Sequence, residues 1–377
     1  MKLAQASISL ISLSAILISL SCGERGWEEP YPIRSTICIR DSIGAELGDT
    51  CFVFGSVSHA LFSPAGEIFI LDQTACCIRK YSEDGIFLDV YSRPGNGPGE
   101  LRFPTEMAVS ENGDILVRDT AKLALVILNE RGESIRELLD WSLIFPPDAI
   151  AFISDDSFTG YEPNMVTDGS DYLVVLKPAL YSIADGAKQV DLFQDSMLVT
   201  LEGMGSSLNG LQDISSMAVD NNGRIFYTRR STDDYEVTCW NTTGQALFIF
   251  QLNLPPVEKT PQEIDDETEY ARIRLAAMGG TLPTGFAPDP LHNLVEDIGV
   301  DDKGNLWVQR GTEDHPVFDV VDESGTHIAS VDFPMNGRFW RFSITPYGSL
   351  AWNLDPESGI QKVYILDLPE VNQNNIQ

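Results

Sequence analysis

The stretch that decides the fold runs from Ala60 to Leu138, because it holds one pattern written twice. The first copy reads ALFSPAGEIFILD at residues 60–72 and CCIRKYSEDGIFLDVY at 76–91, and the second reads EMAVSENGDILVRD at 106–119 and ALVILNERGESIREL at 124–138. Each copy consists of four short apolar runs separated by turn residues, which is typical of a four-stranded antiparallel sheet built from tight hairpins. The sequence therefore predicts a repeated sheet module.

The turn glycines give this module a fixed length. Gly66 and Gly85 close the first and third turns of the first copy, and Gly113 and Gly132 close those of the second, so that each pair is 19 residues apart. The third module departs from this pattern, and its apolar run at residues 172–176 has no assigned place. The remaining modules cover residues 148–193, 216–250, 298–333 and 339–367. A sheet module repeated with a period of about 40 to 50 residues predicts the blades of a propeller.

The connection between the first two copies carries a motif of its own. It reads RPGNGPGELRFP at residues 93–104, and its prolines and glycines exclude a strand. It resembles the linker of NHL-type repeats, on the residues Gly95, Gly97, Pro98, Gly99, Glu100 and Pro104, followed by Gly113, Ile115, Val117 and Asp119. Proteins with such repeats are β-propellers, so the resemblance implies an all-β fold. We predict a six-bladed β-propeller of four-stranded antiparallel blades over residues 34–369.

The two ends of the chain predict how the ring closes. The sixth module supplies two strands in FWRFSITPYGSLAWN and a third in KVYILD, after which the chain ends in a polar tail at residues 370–377. A three-stranded last blade would leave an open sheet edge, which natural sheets avoid. The run from Thr36 to Arg40 alternates like a strand and has no hairpin partner nearby. We therefore expect this N-terminal strand to complete the last blade.

One insertion interrupts the modules, at residues 251–293 between the fourth and the fifth. The residues from Thr260 to Glu263 have the types found at a helix start, and the pair Gly279 and Gly280 would end the helix. Apolar residues at spacings of 3 and 4 give this segment one mainly apolar face. We expect a single helix, either packed over a blade edge or acting as a lid.

The first residues have the order of an export signal. Residues 1–21 carry one positive charge and then an apolar, serine-rich run that ends in small residues before Cys22. The segment resembles a bacterial lipoprotein signal. This resemblance implies lipid on Cys22, a tether at residues 22–33, and a protein anchored in the periplasm, at the outer membrane or on the cell surface. Plain secretion after ordinary cleavage and an uncleaved membrane anchor are the alternatives.

Charge and cysteine content narrow the classes of partner. The chain carries 25 basic and 56 acidic residues, a net charge of −31 that is spread along the sequence. A surface of this sign repels phosphate backbones and anionic lipid, so we exclude nucleic acid and expect membrane contact only through the N-terminal lipid.

Cys38 and Cys51 are the pair whose spacing suggests a local disulfide, and whether it forms is left open. The sequence has no cysteine and histidine spacing typical of a zinc site.

The two faces of the predicted ring differ in their loops. The first and third turns of each blade are short and lie on one face, whereas the second loops lie on the other face together with the connections between blades. These connections are long and varied, and variable loops on a rigid scaffold usually carry binding. Six residues beyond the first-turn glycine, the second strand ends at this long-loop face with Asp72, Asp119, Arg229 or Arg310. We predict that these four side chains contact a ligand. The alternatives are that the aspartates cap loops and that the arginines form a solvated or ion-paired rim.

The sequence assigns no catalytic residue. It contains no nucleophile elbow, phosphate loop, HExxH or EF-hand loop. The predicted function is a monomeric, non-catalytic binding module for a protein, peptide or glycan at the long-loop face. Some propellers that resemble this chain are calcium-dependent lactonases or lyases, in which the metal ligands are scattered in sequence. A calcium-dependent hydrolase or lyase is therefore the alternative function, with no cofactor assigned and calcium left open.

Overall fold

The structure is a computed structural model of the chain. It describes residues 33–139, 141, 146–168, 171–199, 215–277, 280–282, 284–311, 315–337, 339–353 and 360–371. The predicted signal at residues 1–21, the lipidation site Cys22, nearly all of the tether and most of the tail at 370–377 lie outside the described residues. The signal, tether and tail therefore stay predictions.

The described chain folds into six antiparallel sheets arranged as a ring, which confirms the predicted six-bladed β-propeller. Blade 1 contains β3 (Val57–Phe62), β4 (Ile68–Asp72), β5 (Cys77–Tyr81) and β6 (Phe87–Tyr91). Blade 2 contains β7 (Pro104–Val109), β8 (Ile115–Asp119), β9 (Ala124–Leu128) and β10 (Ser134–Leu138). Blade 4 contains β16 (Ser215–Val219), β17 (Ile225–Arg229), β18 (Glu236–Trp240) and β19 (Ala246–Gln251). In each of these blades the first strand is the innermost.

Blade 3 contains a longer hairpin than the other blades. Its strands are β11 (Asp148–Ser154), β12 (Ser157–Asp168), β13 (Asp171–Ser182), β14 (Lys188–Asp191) and β15 (Asp195–Val199). The first half of β13 pairs with both β12 and β15, and its second half pairs with β14. The apolar run at 172–176, which the sequence left unassigned, is therefore the part of β13 that extends past the ordinary blade.

The N-terminal segment closes the ring, as predicted, but over shifted bounds. Blade 5 contains β20 (Asp297–Val300), β21 (Leu306–Arg310), β22 (Val317–Val321) and β23 (His327–Asp332). Blade 6 contains β24 (Trp340–Thr345), β25 (Gly348–Asn353) and β26 (Val363–Asp367), and its outermost strand is β2 (Cys38–Ile43), antiparallel to β26. The preceding strand β1 (Ile33–Thr36) pairs in parallel with β23 of blade 5. The chain therefore joins two neighbouring blades before it starts blade 1.

A buried apolar cluster fills each interface between neighbouring blades. The cluster of Ile43, Phe62, Tyr81, Leu350 and Trp352 lies between blades 6 and 1, so the contact that completes the ring is packed like the others. The innermost strands follow one another in the order β3, β7, β11, β16, β20 and β24, and β24 returns to β3. These strands therefore surround a central channel.

The predicted helix in the insertion is α1 (Pro261–Ala277). Its start has the expected capping box: the Thr260 amide donates to Glu263 Oε2 at 2.7 Å, and the Glu263 amide donates to Thr260 Oγ1 at 3.3 Å. Tyr270 and Ala271 are buried on this helix, and the Tyr270 ring stacks on Phe339 at a centroid distance of 4.5 Å. Contact with the segment that leads into blade 6 supports the packed helix over the lid. In the part of the chain that the structure describes, no helix has both the length and the apolar character needed to cross a membrane.

Candidate functional site: the central channel

The central channel encloses a cavity of about 330 Å³ that residues from all six innermost strands line. A volume of this size suits a small ligand or one end of a larger one. Each innermost strand begins at the long-loop face and ends at a short first turn, so its first residues lie toward the long-loop face. The polar residues near these starts therefore determine what can enter the channel from that face.

A ring of side chains occupies the same position on five innermost strands. The position is seven residues before the glycine of each first turn. Its members are His59, Glu106, Ser216, Asp297 and Arg341, and we call them the channel ring. Blade 3 has the apolar Ile150 at the corresponding position. The ring thus combines a base, two acids, a hydroxyl and a guanidinium at one level of the channel.

On one side of the channel, ring members are held by backbone groups of the next blade. The Met107 amide donates to His59 Nδ1 at 2.9 Å, and the Ile150 amide donates to Glu106 Oε1 at 2.9 Å. Because Nδ1 of His59 accepts this bond, the neutral ring carries its proton on Nε2. The His59 ring also lies 5.9 Å from the Trp352 ring, measured between centroids. These side chains are therefore fixed in orientation by contacts between blades.

Asp297 lies between two arginines on the opposite side of the channel. Its Oδ1 accepts a short hydrogen bond from the Ser216 hydroxyl and a bond of 2.9 Å from the Ile298 amide. Burial raises the pKa of Asp297 above its ordinary value, although the Arg230 and Arg341 guanidiniums and the Ser216 hydrogen bond oppose that shift. Asp297 therefore takes up a proton more readily than an ordinary aspartate.

Two buried donors on this side have no acceptor. Arg230 follows β17 and lines the cavity, and only 6% of its side chain is exposed. Its Nε donates to the Glu296 carbonyl at 2.7 Å and lies 3.8 Å from Glu296 Oε2. Among the residues that the structure describes, neither Arg230 Nη1 nor Trp352 Nε1 has a hydrogen-bond partner, although both atoms are buried. Buried donors in native proteins are nearly always satisfied, so these two atoms are the donors in the cavity lining that can bind an acceptor in the channel.

A third arginine lines the same cavity but is engaged by the protein. Arg118 donates to Thr105 Oγ1 at 3.2 Å and to the Pro146 carbonyl at 3.4 Å, and its Nη2 lies 3.4 Å from Asp148 Oδ2. Arg118 and Asp148 thus neutralise each other beside Glu106. The residues that line the cavity include three guanidiniums and five carboxylates, so acidic groups are in excess there as in the chain as a whole.

The structure places the predicted aspartates inside their own blades. Asp72 is fully buried, accepts hydrogen bonds from the Gly55, Ser56 and Ala75 amides, and pairs with Arg79 at 2.7 Å. Asp119, also fully buried, accepts from four amides in the same manner. Both have the loop-capping contacts that the alternative interpretation describes, and neither lines the channel cavity.

The predicted arginines also have partners within or beside their blades. Arg310 binds Asp319 with two hydrogen bonds, and the Asp319 carboxylate also contacts the side chains of Tyr235, His327 and Ser330. Burial raises the pKa of Asp319, but the hydrogen bonds from His327 and Arg310 outweigh burial and lower it to about 2. This cluster joins Tyr235, which precedes β18 of blade 4, to blade 5. It lies away from the residues that line the cavity.

Arg229 lies next to Arg230 in sequence but has a different environment. Its Nη1 lies 3.4 Å from Asp195 Oδ1 and donates to the Ser196 carbonyl at 3.1 Å, and its Nη2 lies 3.5 Å from Asp234. The structure therefore does not bring Asp72, Asp119, Arg229 and Arg310 together around one ligand. A ligand contact by any of these side chains stays a prediction.

The cysteines and the acidic residues give two further findings. Cys38 and Cys51 are both free thiols, so the bridge that their spacing suggests does not form. Within the described ranges, no group of three or more histidine, cysteine, aspartate or glutamate side chains is placed to hold a metal ion.

The sequence did contain a signal for the channel ring. The prediction counted forward from the first-turn glycine to the end of the second strand, where the repeat keeps aspartate or arginine. Counting backward by seven residues from the same glycines reaches His59, Glu106, Ser216, Asp297 and Arg341. The innermost strand is the one that faces the channel, so its polar residues were the better candidates.

Fold and channel together define the protein as a six-bladed β-propeller with a polar central channel, whose lining extends from the starts of the innermost strands to their first turns. Solved structures share this fold at low sequence identity. A suspected exported protein from Bacteroides fragilis aligns with a TM-score of 0.54 and 10% identity, over 89% of this chain and 96% of that chain. A member of the DUF4221 family from Bacteroides vulgatus aligns with a TM-score of 0.48 and 11% identity, over 88% and 97% of the two chains.

Propellers with an enzymatic name are also similar to this chain. Virginiamycin B lyase from Staphylococcus aureus aligns with a TM-score of 0.43 and 12% identity, over 88% of this chain and 89% of that chain. No family model and no curated protein matches the sequence. The similarities at this level of identity establish the fold alone, and the resemblance to NHL-type repeats stays a prediction.

Proposed function

We propose that this protein is an exported, lipid-anchored propeller of the bacterial cell envelope that binds a protein, peptide or glycan without catalysis. The ligand approaches the long-loop face, and one of its groups enters the channel as far as the channel ring. The anchoring part of this proposal rests on the sequence of residues 1–22. The binding part rests on the channel.

The observation that supports binding is the pair of buried, unsatisfied donors at Arg230 and Trp352 in a cavity of about 330 Å³. Leaving a buried donor without a partner costs about 1 to 3 kcal/mol, so a ligand that supplies acceptors recovers stability on binding. The surrounding side chains are already fixed by hydrogen bonds between blades, as at His59 and Glu106. A fixed site loses little conformational entropy when its ligand binds, which favours affinity.

A binding screen with single substitutions tests this proposal. Once glycans, peptides and envelope extracts have given a ligand, its affinity is measured for Arg230→Gln and for Arg229→Gln. The channel site predicts that Arg230→Gln weakens binding about 10- to 100-fold, because a hydrogen bond to a charged group contributes about 1.5 to 3 kcal/mol. If the ligand instead contacts the rim predicted from the sequence, Arg229→Gln should lose more affinity than Arg230→Gln.

Two results would contradict the proposal. One is a ligand whose affinity is unchanged in the Arg230→Gln variant while the unfolding midpoint of the variant equals that of the wild type. The other is turnover of a lactone by the purified protein with calcium, which would support the calcium-dependent hydrolase or lyase instead. The comparison of midpoints separates a binding defect from a folding defect.

Membrane anchoring is tested on the expressed full-length chain. The wild type should partition into the detergent phase after export, whereas Cys22→Ser should stay in the aqueous phase, because a thiol is needed for lipid attachment. Aqueous partitioning of both proteins would show that lipid does not anchor this chain. Detergent partitioning of both would indicate an uncleaved apolar segment instead.

A further inference from the structure

The side of the channel around Asp297 has the chemistry of a site for a single oxyanion. Arg230 and Arg341 flank Asp297, and both guanidiniums act on its ionisation. The donors without partners, Arg230 Nη1 and Trp352 Nε1, line the same cavity. Each needs an acceptor, and neither can accept a hydrogen bond itself. The missing partner therefore carries oxygen atoms that accept hydrogen bonds.

Charge favours an anion over a neutral acceptor at this position. Arg230 and Arg341 face Asp297, and Arg230 also lies 3.8 Å from Glu296 Oε2, so protonation of Asp297 leaves one positive charge in excess among these four groups, whereas on the far side of the channel Arg118 is paired with Asp148. Arg230 contacts Glu296 through Nε, so its Nη1 edge is the part that remains for a ligand. Arginine holds carboxylate and phosphate groups strongly because its planar donors match their oxygens. The arrangement therefore selects a negatively charged group.

We propose that the Arg230, Asp297 and Arg341 side of the channel binds the carboxylate, phosphate or sulfate group of the ligand, and that this binding is coupled to protonation of Asp297. The inference rests on the proposed binding function and deepens it by naming the chemical class of the group that enters the channel. An anion beside an ionised Asp297 meets a like charge. Binding is therefore accompanied by proton uptake, and affinity falls as the pH rises.

The groups around Asp297 make its carboxyl group the one on this side that takes up a proton when the ligand binds. Its near neighbours are the two arginines, the Ser216 hydroxyl and the Ile298 amide. The titratable groups elsewhere on the cavity wall are His59, Glu106, Glu111, Arg118, Asp148, Asp220 and Tyr347, and His59 Nδ1 accepts a hydrogen bond from the Met107 amide. Burial already favours the protonated form of Asp297. A protonated Asp297 also offers the anion a further donor.

Inorganic sulfate is the probe, because its charge does not change over the pH range in which the folded protein is studied, so any pH dependence of its binding comes from groups of the protein. Equilibrium dialysis with radiolabelled sulfate at constant ionic strength should give saturable binding of one ion per chain. Arg230→Gln and Arg341→Gln should each weaken it about 10- to 100-fold. Arg131→Gln, which removes an exposed charge from a short turn on the opposite face, should leave it unchanged. The same dialysis with acetate distinguishes a planar carboxylate from a tetrahedral group as the better ligand.

The pH dependence of sulfate affinity is the second test. Sulfate affinity of the wild type should fall by up to about tenfold per pH unit where Asp297 ionises, which corresponds to the uptake of one proton. Asp297→Asn keeps an acceptor for Ser216 and should bind sulfate with little dependence on pH. Unfolding midpoints are measured for every variant. If Arg230→Gln does not fold, the sulfate affinities of Arg341→Gln and Asp297→Asn test the inference.

The absence of saturable sulfate and acetate binding would overturn the inference. So would equal affinities in the two channel variants and the wild type, or a pH dependence that persists in Asp297→Asn. A ligand from the screen that depends on Arg230 and carries no anionic group would overturn it as well, while the proposed binding function would stand. Sulfate binding with the expected dependence, in a protein for which the screen gives no ligand, would support the site and leave the proposed partner class without support.

Discussion

The closure of the ring by the N-terminal strand makes a quantitative prediction at Ile43. This residue ends β2, pairs with Val363 of β26, and is only 2% exposed. Its side chain packs in the cluster between blades 6 and 1, together with Leu350 and Ile365. Ile43→Ala removes buried carbon atoms from a site that the sheet cannot readily collapse. We expect the free energy of unfolding to fall by about 2 to 5 kcal/mol.

Chemical denaturation of the full chain, followed by tryptophan fluorescence, measures this effect. Ser42→Ala is the matched control, since Ser42 is the exposed neighbour on the same strand and its substitution should change stability by less than about 0.5 kcal/mol. A loss in Ile43→Ala no larger than that of the control would refute the closure. It would mean that the first and last blades are held together without β2.

Two further predictions concern acid stability and a turn. The pKa of Asp319 is about 2 in the folded protein against an ordinary value of 3.8, so its ionised form contributes about 2 kcal/mol that is present above about pH 4 and is lost as the pH falls toward 2. The unfolding free energy of the wild type should therefore decrease more steeply over this range than that of Asp319→Asn, and parallel curves would contradict the assignment. Gly132 has φ of +76° and a Cβ there would lie 2.4 Å from an aromatic ring, whereas Gly66 has φ of +78° and open space around it. Gly132→Ala should thus cost clearly more than the ~1 kcal/mol expected for Gly66→Ala, and equal losses in urea unfolding would contradict this packing.

The architecture could be predicted because each blade repeats the same local rules. Glycine at a fixed place in the first and third turns has positive φ in the structure, for example +85° at Gly113 and +76° at Gly132. Alternating apolar runs between such turns leave few choices of strand pairing. The bounds of the closing strand were less certain, because no hairpin fixes its register. Ile37, which lies between β1 and β2 and is 1% exposed, is where the chain passes from blade 5 to blade 6.

Blade 3 could not be assigned from the sequence for a different reason. Its central hairpin pairs over 12 residues on each strand, about twice the length of the other blades. The additional half of β13 gains a second partner in β15, which comes from the connection that follows the blade. A strand whose partner lies beyond the repeat unit leaves no periodic signal in the unit itself. The run at 172–176 therefore looked like an unattached apolar segment.

The location of the channel site depends on what a repeat keeps and what it varies. An aspartate after the second strand recurs because every blade has a loop to cap, as the contacts of Asp72 and Asp119 show. The channel is shared by all blades, so each blade can supply a different side chain to it. Histidine, glutamate, serine, aspartate and arginine occupy one equivalent position around the ring. In a ring of similar blades, a polar position that differs from blade to blade on the innermost strand is therefore a stronger indication of ligand binding than a polar position that repeats.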